Sequence, residues 1–172
     1  RILLDNASLP FIPLKKEIEF LELYLSLEKL RIPDLQFTVE IEPEIDTNNT
    51  SVPNMMLQPY IENAIWHGLS PKNSDKKLAL RIYRQNGAVQ YEIEDNGIGR
   101  KKAAALKGLY RKEHKSKGME LLTKRFKLLR EEFGSEIKTT IDDLAETENT
   151  GGTRVIISVP FALPWSKKEA IA

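Results

Sequence analysis

Hydrophobic side chains recur at two different spacings along the first quarter of the chain. Between residues 14 and 30, leucines and an isoleucine return every three or four positions and charged residues fill the remainder, which predicts an amphipathic helix. Pro33 ends that pattern because proline cannot continue a helix. Residues 35–42 then alternate apolar and polar side chains, which is typical of a strand with one buried face.

The middle of the chain contains a second helix signal followed by a hairpin signal. Apolar residues at helical spacing predict a helix over residues 54–67, in which Pro59 indicates a kink or a late start. Residues 78–84 and 88–94 are predicted strands, and an Asn-Gly dipeptide typical of a two-residue turn separates them. These two strands are therefore expected to pair with each other in antiparallel fashion.

The last third of the chain is predicted to hold one helix and two strands. The helix covers residues 118–133, and the strands cover residues 137–141 and 154–159. An acidic loop at residues 142–152 joins these strands, and the tail from residue 162 is expected to be loose. Because helices and hairpin-paired strands are interspersed, the pattern favours an α+β fold. This would be a two-layer α/β sandwich in which helices cover one face of a mixed sheet.

Composition narrows the class of protein. The chain has 172 residues, of which 41% are hydrophobic, enough for one globular domain with a core. A net charge of +1 gives no reason to expect nucleic acid or an anionic membrane as a partner, and no apolar run approaches the roughly 20 residues of a membrane span. The absence of cysteine excludes disulfides and thiolate chemistry. Since the chain begins without methionine or a signal-peptide pattern, we expect it to be a fragment of a longer protein.

Positive charge is concentrated in one segment. Residues 100–117 carry eight Lys or Arg against one acid, and Gly118 opens the predicted helix directly afterwards. A helix N-terminus with free N–H groups suits phosphate, so this segment is a candidate for binding an anionic ligand. An ordinary helix start preceded by solvated lysines accounts for the same pattern.

Two further motifs each admit two interpretations. The sequence DNGIG at residues 95–99 is either a tight turn after a strand or a backbone that approaches a flat ligand while Asp95 accepts a hydrogen bond from it. Asn63 and His67 lie four residues apart and thus on one helix face. They suit either a metal–phosphate group or plain solvation.

The order of the motifs along the chain decides between these interpretations. An Asn-bearing helix, a strand ending in Asp-x-Gly-x-Gly, a basic segment, a helix and a Gly-x-Thr before the last strand resemble one known domain. It is the ATP-binding domain of gyrase-type ATPases, MutL and histidine kinases, the Bergerat fold of the GHKL superfamily. The sequence LQPYIENAIWHG at residues 57–68 resembles the N box of LytS-type sensor histidine kinases, and residues 13–31 resemble the segment before that box. The resemblance spans residues 1–161.

The resemblance implies roles for the residues around the N box and the DNGIG turn. Asn63 would be a Mg²⁺ ligand, and His67 would lie near the phosphates of ATP. Asp95 would accept a hydrogen bond from the adenine amino group, while Gly97 and Gly99 would make room for the base.

The remaining roles belong to the second half of the chain. Residues 100–117 would form the ATP lid, with Lys115 and Lys117 as phosphate contacts on the grounds of charge and placement alone. Gly118 would start the helix under the phosphates, and Thr153 would support the adenine end of the site.

The chain departs from the family pattern at three positions. Ser116 stands where the first glycine of a Gly-x-Gly is usual, and Leu121 replaces a frequent polar residue, so lid mobility or nucleotide affinity is expected to differ. Pro59 occupies the position, four residues before Asn63, at which hydrolytic members carry a water-activating Glu. The adjacent Glu62 points elsewhere on the helix. A site without that base suits transfer of the γ-phosphoryl group to a protein acceptor better than hydrolysis.

The implied function is that of the catalytic domain of a two-component sensor histidine kinase. It would use ATP and Mg²⁺ as cofactors and phosphorylate a histidine in an upstream dimerisation domain, which passes the group to a response regulator. Residues 1–13 are expected to end that upstream region, residues 14–161 to form the ATP-binding domain, and residues 162–172 to form a tail. The parent would be a homodimer anchored in the bacterial inner membrane, with this domain in the cytoplasm and without membrane contact of its own.

The acceptor histidine is expected to lie outside this chain. His67 belongs to the nucleotide site and His114 to the lid, and neither lies in an N-terminal helical hairpin. Two alternatives remain open at this point. One is a nucleotide-gated module without transfer chemistry, a pseudokinase. The other is a serine-directed anti-sigma kinase or a hydrolytic member of the superfamily.

Overall fold

A five-stranded mixed sheet forms the centre of the protein within the residues that the structure, a computed structural model, describes: 11–109, 117–134, 136–144 and 151–161. Its strands are β2 (Leu35–Ile41), β4 (Lys76–Gln85), β5 (Ala88–Asp95), β6 (Lys138–Asp143) and β7 (Thr153–Pro160). They lie in the order β2-β4-β5-β7-β6. Only β2 and β4 run parallel within this described sheet, and the other neighbours are antiparallel. The predicted mixed sheet is confirmed.

The β4–β5 hairpin forms as the Asn-Gly signal predicts. Asn86 and Gly87 have φ angles of 52° and 75°, the left-handed values that a tight two-residue hairpin turn requires. The hairpin places the end of β5, at Asp95, beside Leu78 of β4 and Thr153 of β7. The DNGIG turn therefore leaves the centre of the sheet and not its edge.

Helices cover one face of this sheet. Their bounds are α1 (Leu14–Arg31), α2 (Gln58–Asn63), α3 (Gly99–Leu109) and α4 (Lys117–Phe133), and α2 continues directly into a π-helical segment, Ala64–Leu69. The buried side of α1 is formed by Leu14, Ile18, Leu21 and Leu25. These residues join the buried faces of β4 and β5 in one core. Burial of this apolar face is the main force that holds the helix layer on the sheet.

The opposite face of the sheet carries charged residues. Arg81 lies 2.8 Å from Glu92, and Arg154 lies 2.7 Å from Glu94. These side chains alternate with the buried ones along β4, β5 and β7, as in any sheet with one solvated face. The two-layer α+β sandwich predicted from the sequence is confirmed.

A short second sheet escaped prediction. Strand β1 (Phe11–Pro13) pairs with β3 (Ser51–Pro53) in antiparallel fashion, and Phe11 and Ile12 are buried. Strands of three residues that each include proline have no readable alternation. This pairing ties the start of α1 to the connector that leads into α2.

Of the two outcomes that Pro59 indicated, a kink or a late helix start, the structure has the late start. Residues 54–57 form a turn in which Met55 has a φ angle of 57°, and α2 begins only at Gln58 with Pro59 in its first turn. The late start follows from proline, which fits the first turn of a helix but not its interior. Helix α3 was not predicted, because its Lys- and Ala-rich sequence was interpreted as part of the basic lid segment.

Within the described part of the chain, none of the helices is long and apolar enough to span a membrane.

Candidate functional site

A cavity of about 290 Å³ lies between the helix layer and the end of strand β5. The sheet supplies an apolar wall made of Ile93, Ile141 and Val155. The opposite wall comes from α2, the π-helical segment and α3, and Met119 of α4 closes one side. The polar residues that line it are Tyr60, Asn63, His67, Asp95, Arg100 and Thr153. A largely apolar slot with a few polar groups is the usual form of a small-molecule site.

Asp95 is the buried acid of this cavity. Its side chain is only 4% exposed. Burial raises the pKa of the carboxyl group to about 6, even though backbone hydrogen bonds from Gly97 and Thr153 act in the opposite direction. The Gly97 amide donates to Oδ1 at 2.8 Å. The carboxylate is thus anchored and remains able to accept a further hydrogen bond from a ligand.

Glycines allow the backbone to close tightly around that carboxylate. A Cβ on Gly97 would lie 2.6 Å from Asp95 Oδ1 and would overlap the backbone carbonyl group of Gly68. A Cβ on Gly68 would lie 2.8 Å from the same oxygen. Gly97 therefore makes room for Asp95 and the π-helical segment. Gly99, with a φ angle of 77°, lines the cavity itself.

Asn63 and His67 both reach the cavity, although the helix that carries them changes type between them. Asn63 ends α2, and His67 lies in the π-helical segment, whose end is marked by the hydrogen bond from the Ser70 amide to the Ile65 carbonyl at 2.7 Å. A π-helical turn uses i→i+5 hydrogen bonds and is frequent at functional sites. The sequence predicted that Asn63 and His67 lie on one helix face, but it did not predict the π-helical segment.

Helix α4 begins beside the first turn of α2. A Cβ on Gly118 would contact the Pro59 ring at 3.6 Å, an ordinary van der Waals distance. The N-terminus of α4 therefore lies about one helical turn from Asn63. Lys115 and Ser116 fall outside the described residues, and Lys117 is the first residue of α4.

Arg100 and Tyr60 also line the cavity, although the sequence placed Arg100 only within the predicted lid segment and did not indicate Tyr60 as a site residue. Arg100, in the first turn of α3, donates two hydrogen bonds to the Asp143 carboxylate at 2.8 and 3.0 Å. The Tyr60 hydroxyl lies 3.3 Å from Thr139 Oγ1. Both partners belong to β6, whose position over the site only the fold reveals.

Thr153 belongs to the wall of the cavity, whereas Asn96 hydrogen-bonds a loop beside it. Thr153 lines the cavity and pairs with Asp95 in the β5–β7 register. Asn96 holds the preceding loop, since its Nδ2 donates to the Asp75 carbonyl and its Oδ1 accepts from the Lys77 amide, each at 2.8 Å. The Asn96 side chain of the DNGIG turn therefore stabilises the neighbouring loop.

Trp66 links the π-helical segment to α1. The Arg31 guanidinium lies 4.5 Å from the centre of the indole ring, a cation–π contact, and the Trp66 side chain is 42% exposed. Trp66 precedes His67 directly in the chain but does not line the cavity.

The fold is similar to that of solved histidine kinases. A mycobacterial sensor histidine kinase, MprB, has a similar fold, with a TM-score of 0.52, 14% identity, and coverage of 87% of this chain and 97% of that one. The Acinetobacter baumannii histidine kinase AdeS matches with a TM-score of 0.50 and 16% identity, covering 91% of this chain and 72% of that one.

Proteins with similar amino-acid sequences show the family to which the chain belongs. The sensor histidine kinase BtsS of Escherichia coli is 32% identical over 154 residues, covering 88% of this chain and 24% of that protein. The sensor protein LytS of Bacillus cereus is 33% identical over 96 residues, covering 56% of this chain and 16% of that protein. No protein-family model matches the chain. The chain belongs to the family of LytS-type sensor histidine kinases. It spans less than a quarter of the length of these curated relatives.

Proposed function

We propose that this domain binds Mg-ATP in the cavity and donates the γ-phosphoryl group to a histidine of its parent kinase, from which the group passes to a response regulator. The observation that carries the proposal is the buried carboxylate of Asp95 at the end of an apolar slot. Such a group is costly to bury, and a buried acid that lines a cleft is a candidate for contact with a ligand donor. The relatives, which are named as sensor kinases, support the same conclusion.

The base is proposed to lie at the Asp95 end of the cavity. Its exocyclic amino group would donate to the carboxylate, and its ring would lie against the apolar wall of Ile93, Ile141 and Val155. An adenine presents a donor where guanine presents a carbonyl oxygen. An ionised Asp95 therefore favours adenine and repels guanine.

The phosphates are proposed to lie at the Asn63 end. The described residues contain no group of three His, Cys, Asp or Glu side chains that could hold a metal by themselves. A site with few protein oxygens suits Mg²⁺, because this ion commonly takes one or two protein oxygens together with substrate phosphates and water. Asn63 Oδ1 would be the protein ligand, and the bound ion would neutralise phosphate charge. His67 and the N-terminus of α4 would face the same end.

Transfer is favoured over hydrolysis because, among the described residues, the position one turn before Asn63 carries no carboxylate that could activate water. Pro59 lies one turn before Asn63, and Glu62 is held by Gln58, whose Nε2 donates to Glu62 Oε1 at 2.8 Å. Glu62 does not line the cavity. Phosphoryl transfer depends mainly on positioning and charge neutralisation, so the acceptor can be supplied by another domain.

Mutation of Asn63 tests the metal end of this proposal. In Asn63→Ala, the affinity for a non-hydrolysable ATP analogue measured with Mg²⁺ should fall about 10-fold, while the affinity measured in EDTA should stay nearly constant. The reason is that only the metal-dependent part of binding uses the amide oxygen. Isothermal titration with and without Mg²⁺ measures both. Glu62→Gln, at the neighbouring position, is the matched control and should match the wild type in both titrations. Equal affinity of Asn63→Ala and wild type in Mg²⁺ would rule out Asn63 as the ligand.

The missing acceptor gives a separate expectation. Incubation of this chain with radiolabelled ATP and Mg²⁺ should produce no phosphohistidine, because His67 and His114 are assigned to the site and the lid and not to an acceptor. The full-length parent should be labelled under the same conditions, as acid-labile phosphate. Acid-labile phosphate on either histidine of this chain would contradict the assignment.

A further inference from the structure

Glu17 is a buried carboxylate that lies outside the cavity. It sits in the first turn of α1 and is 2% exposed. Its Oε2 accepts a hydrogen bond from the Met55 amide at 2.9 Å, and its Oε1 accepts one from the Leu57 amide at 3.0 Å. Burial of such a charge is costly, so a side chain retained in this state usually fixes something specific.

What Glu17 fixes is the turn that leads into α2. Met55 adopts a left-handed backbone conformation there, which non-glycine residues rarely adopt. The Met55 and Leu57 amides precede α2, which starts only at Gln58, and they donate to Glu17 instead of to a helical carbonyl. The Glu17 carboxylate replaces that partner from a different helix. The contact therefore holds the turn from which α2, the helix that carries Asn63, begins.

Helix α4 holds the same turn from the other side. Arg125 Nη1 donates to the Asn54 carbonyl at 2.6 Å. The positive charge of Arg125 and the negative charge of Glu17 stabilise each other, although burial works against both. Since the first turn of α4 also packs against Pro59, the turn at residues 54–57 joins α1, α2 and α4 at one polar node.

We infer that Glu17 is a positioning residue that sets Asn63 and the N-terminus of α4 for the metal–phosphate end of the site, and that α1 acts on metal binding through it. The inference rests on the proposed function. A shift of α1 would move the turn at residues 54–57, and this would displace Asn63 while leaving Asp95, at the end of β5, in place. Movement of α1 would thus change the metal-dependent part of nucleotide binding and not the adenine-dependent part.

The test compares two kinds of nucleotide binding in Glu17→Gln. This variant keeps the shape of the side chain but has one acceptor oxygen where two amides must be satisfied. We expect the gain in affinity that Mg²⁺ gives a non-hydrolysable ATP analogue to fall about 10-fold, while the affinity for the analogue in EDTA changes less than about twofold. Glu19→Gln is the matched control, because Glu19 lies on the same helix and is exposed, at 4.0 Å from Lys16. It should match the wild type in both titrations.

Two other outcomes would contradict the positioning role of Glu17. An unchanged Mg²⁺-dependent gain in Glu17→Gln overturns the positioning role, and an equal loss with and without Mg²⁺ shows a general structural role and overturns it too. If Glu17→Gln does not fold, Arg125→Lys, which keeps the charge but shortens the reach to Asn54, is measured in its place with the same expectation. Failure of the wild-type chain to bind the analogue at all overturns the proposed function, and this inference with it.

Discussion

Asp95→Asn is expected to weaken the binding of adenine nucleotides about 10- to 100-fold and, at the same time, to stabilise the empty domain. The loss of affinity follows because a buried, ionised acceptor contributes about 1.5–3 kcal/mol to a hydrogen bond with a ligand amino group. The gain in stability follows because asparagine still accepts from the Gly97 amide but carries no charge that must be buried. Relief of that burial is worth about 1–3 kcal/mol in the free energy of unfolding.

The wild type is expected to show both effects, on stability and on nucleotide affinity, as the pH changes. The Asp95 carboxyl has a pKa of about 6 in the folded state against an ordinary value of 3.8. Between these two values the folded state binds more protons than the unfolded state, so stability falls as the pH rises from about 4 to 6 and then levels off. Nucleotide affinity should change in the opposite direction and decline below about pH 6, because a protonated carboxyl is a poorer acceptor. Asp95→Asn should remove this contribution from both curves.

Two measurements on three proteins check this prediction. Fluorescent ADP titration gives affinity, and urea unfolding gives stability, for wild type, Asp95→Asn and Glu94→Gln. Glu94 is the neighbouring carboxylate, but it faces the other side of the sheet and pairs with Arg154. Glu94→Gln should therefore bind nucleotide as the wild type does. If Asp95→Asn also binds as the wild type does, the adenine-site assignment fails.

Gly97→Ala is expected to be strongly destabilising, costing more than about 3 kcal/mol or preventing folding altogether. The new methyl group would lie 2.6 Å from Asp95 Oδ1 and would overlap the Gly68 backbone. Backbone atoms of a packed segment cannot move aside as a flexible side chain can, so the clash is not relieved cheaply. Any folded fraction should have lost nucleotide affinity, because Asp95 and the π-helical segment would be pushed apart.

Gly118→Ala is the matched substitution for that experiment. Its methyl group would meet the Pro59 ring at 3.6 Å, which is normal contact, and alanine is a better helix former than glycine by about 1 kcal/mol. Urea unfolding should show a slightly raised midpoint for Gly118→Ala and a strongly lowered one for Gly97→Ala. Similar midpoints for Gly97→Ala and wild type would show that the DNGIG turn is less constrained than its packing indicates.

Most of the sheet and helix layer could be predicted because their information is local. Alternating residues gave β2, β4 and β5, and the Asn-Gly dipeptide gave the hairpin. The turn at residues 54–57 and the β1–β3 pair could not be predicted, because they depend on contacts between distant segments. The partner of the Leu57 amide, for example, is 40 positions away at Glu17.

Part of the site could also be predicted from the sequence and part could not. Asn63, His67, Asp95, Gly99 and Thr153 were proposed from motif order and resemblance, and all of them line the cavity. Arg100 was predicted only as a member of the lid segment, and Tyr60 was not predicted as a site residue, because their partners lie on β6 and no sequence spacing links them.

The contact between Arg31 and Trp66 has a practical consequence. One of the two tryptophans of the chain lies on the turn that carries His67, in contact with a charge on a different helix. Indole emission responds to a nearby cation and to solvent, so this side chain is a native optical probe placed next to His67. A spectroscopist can follow the relative movement of α1 and the π-helical segment during nucleotide titration without attaching a dye.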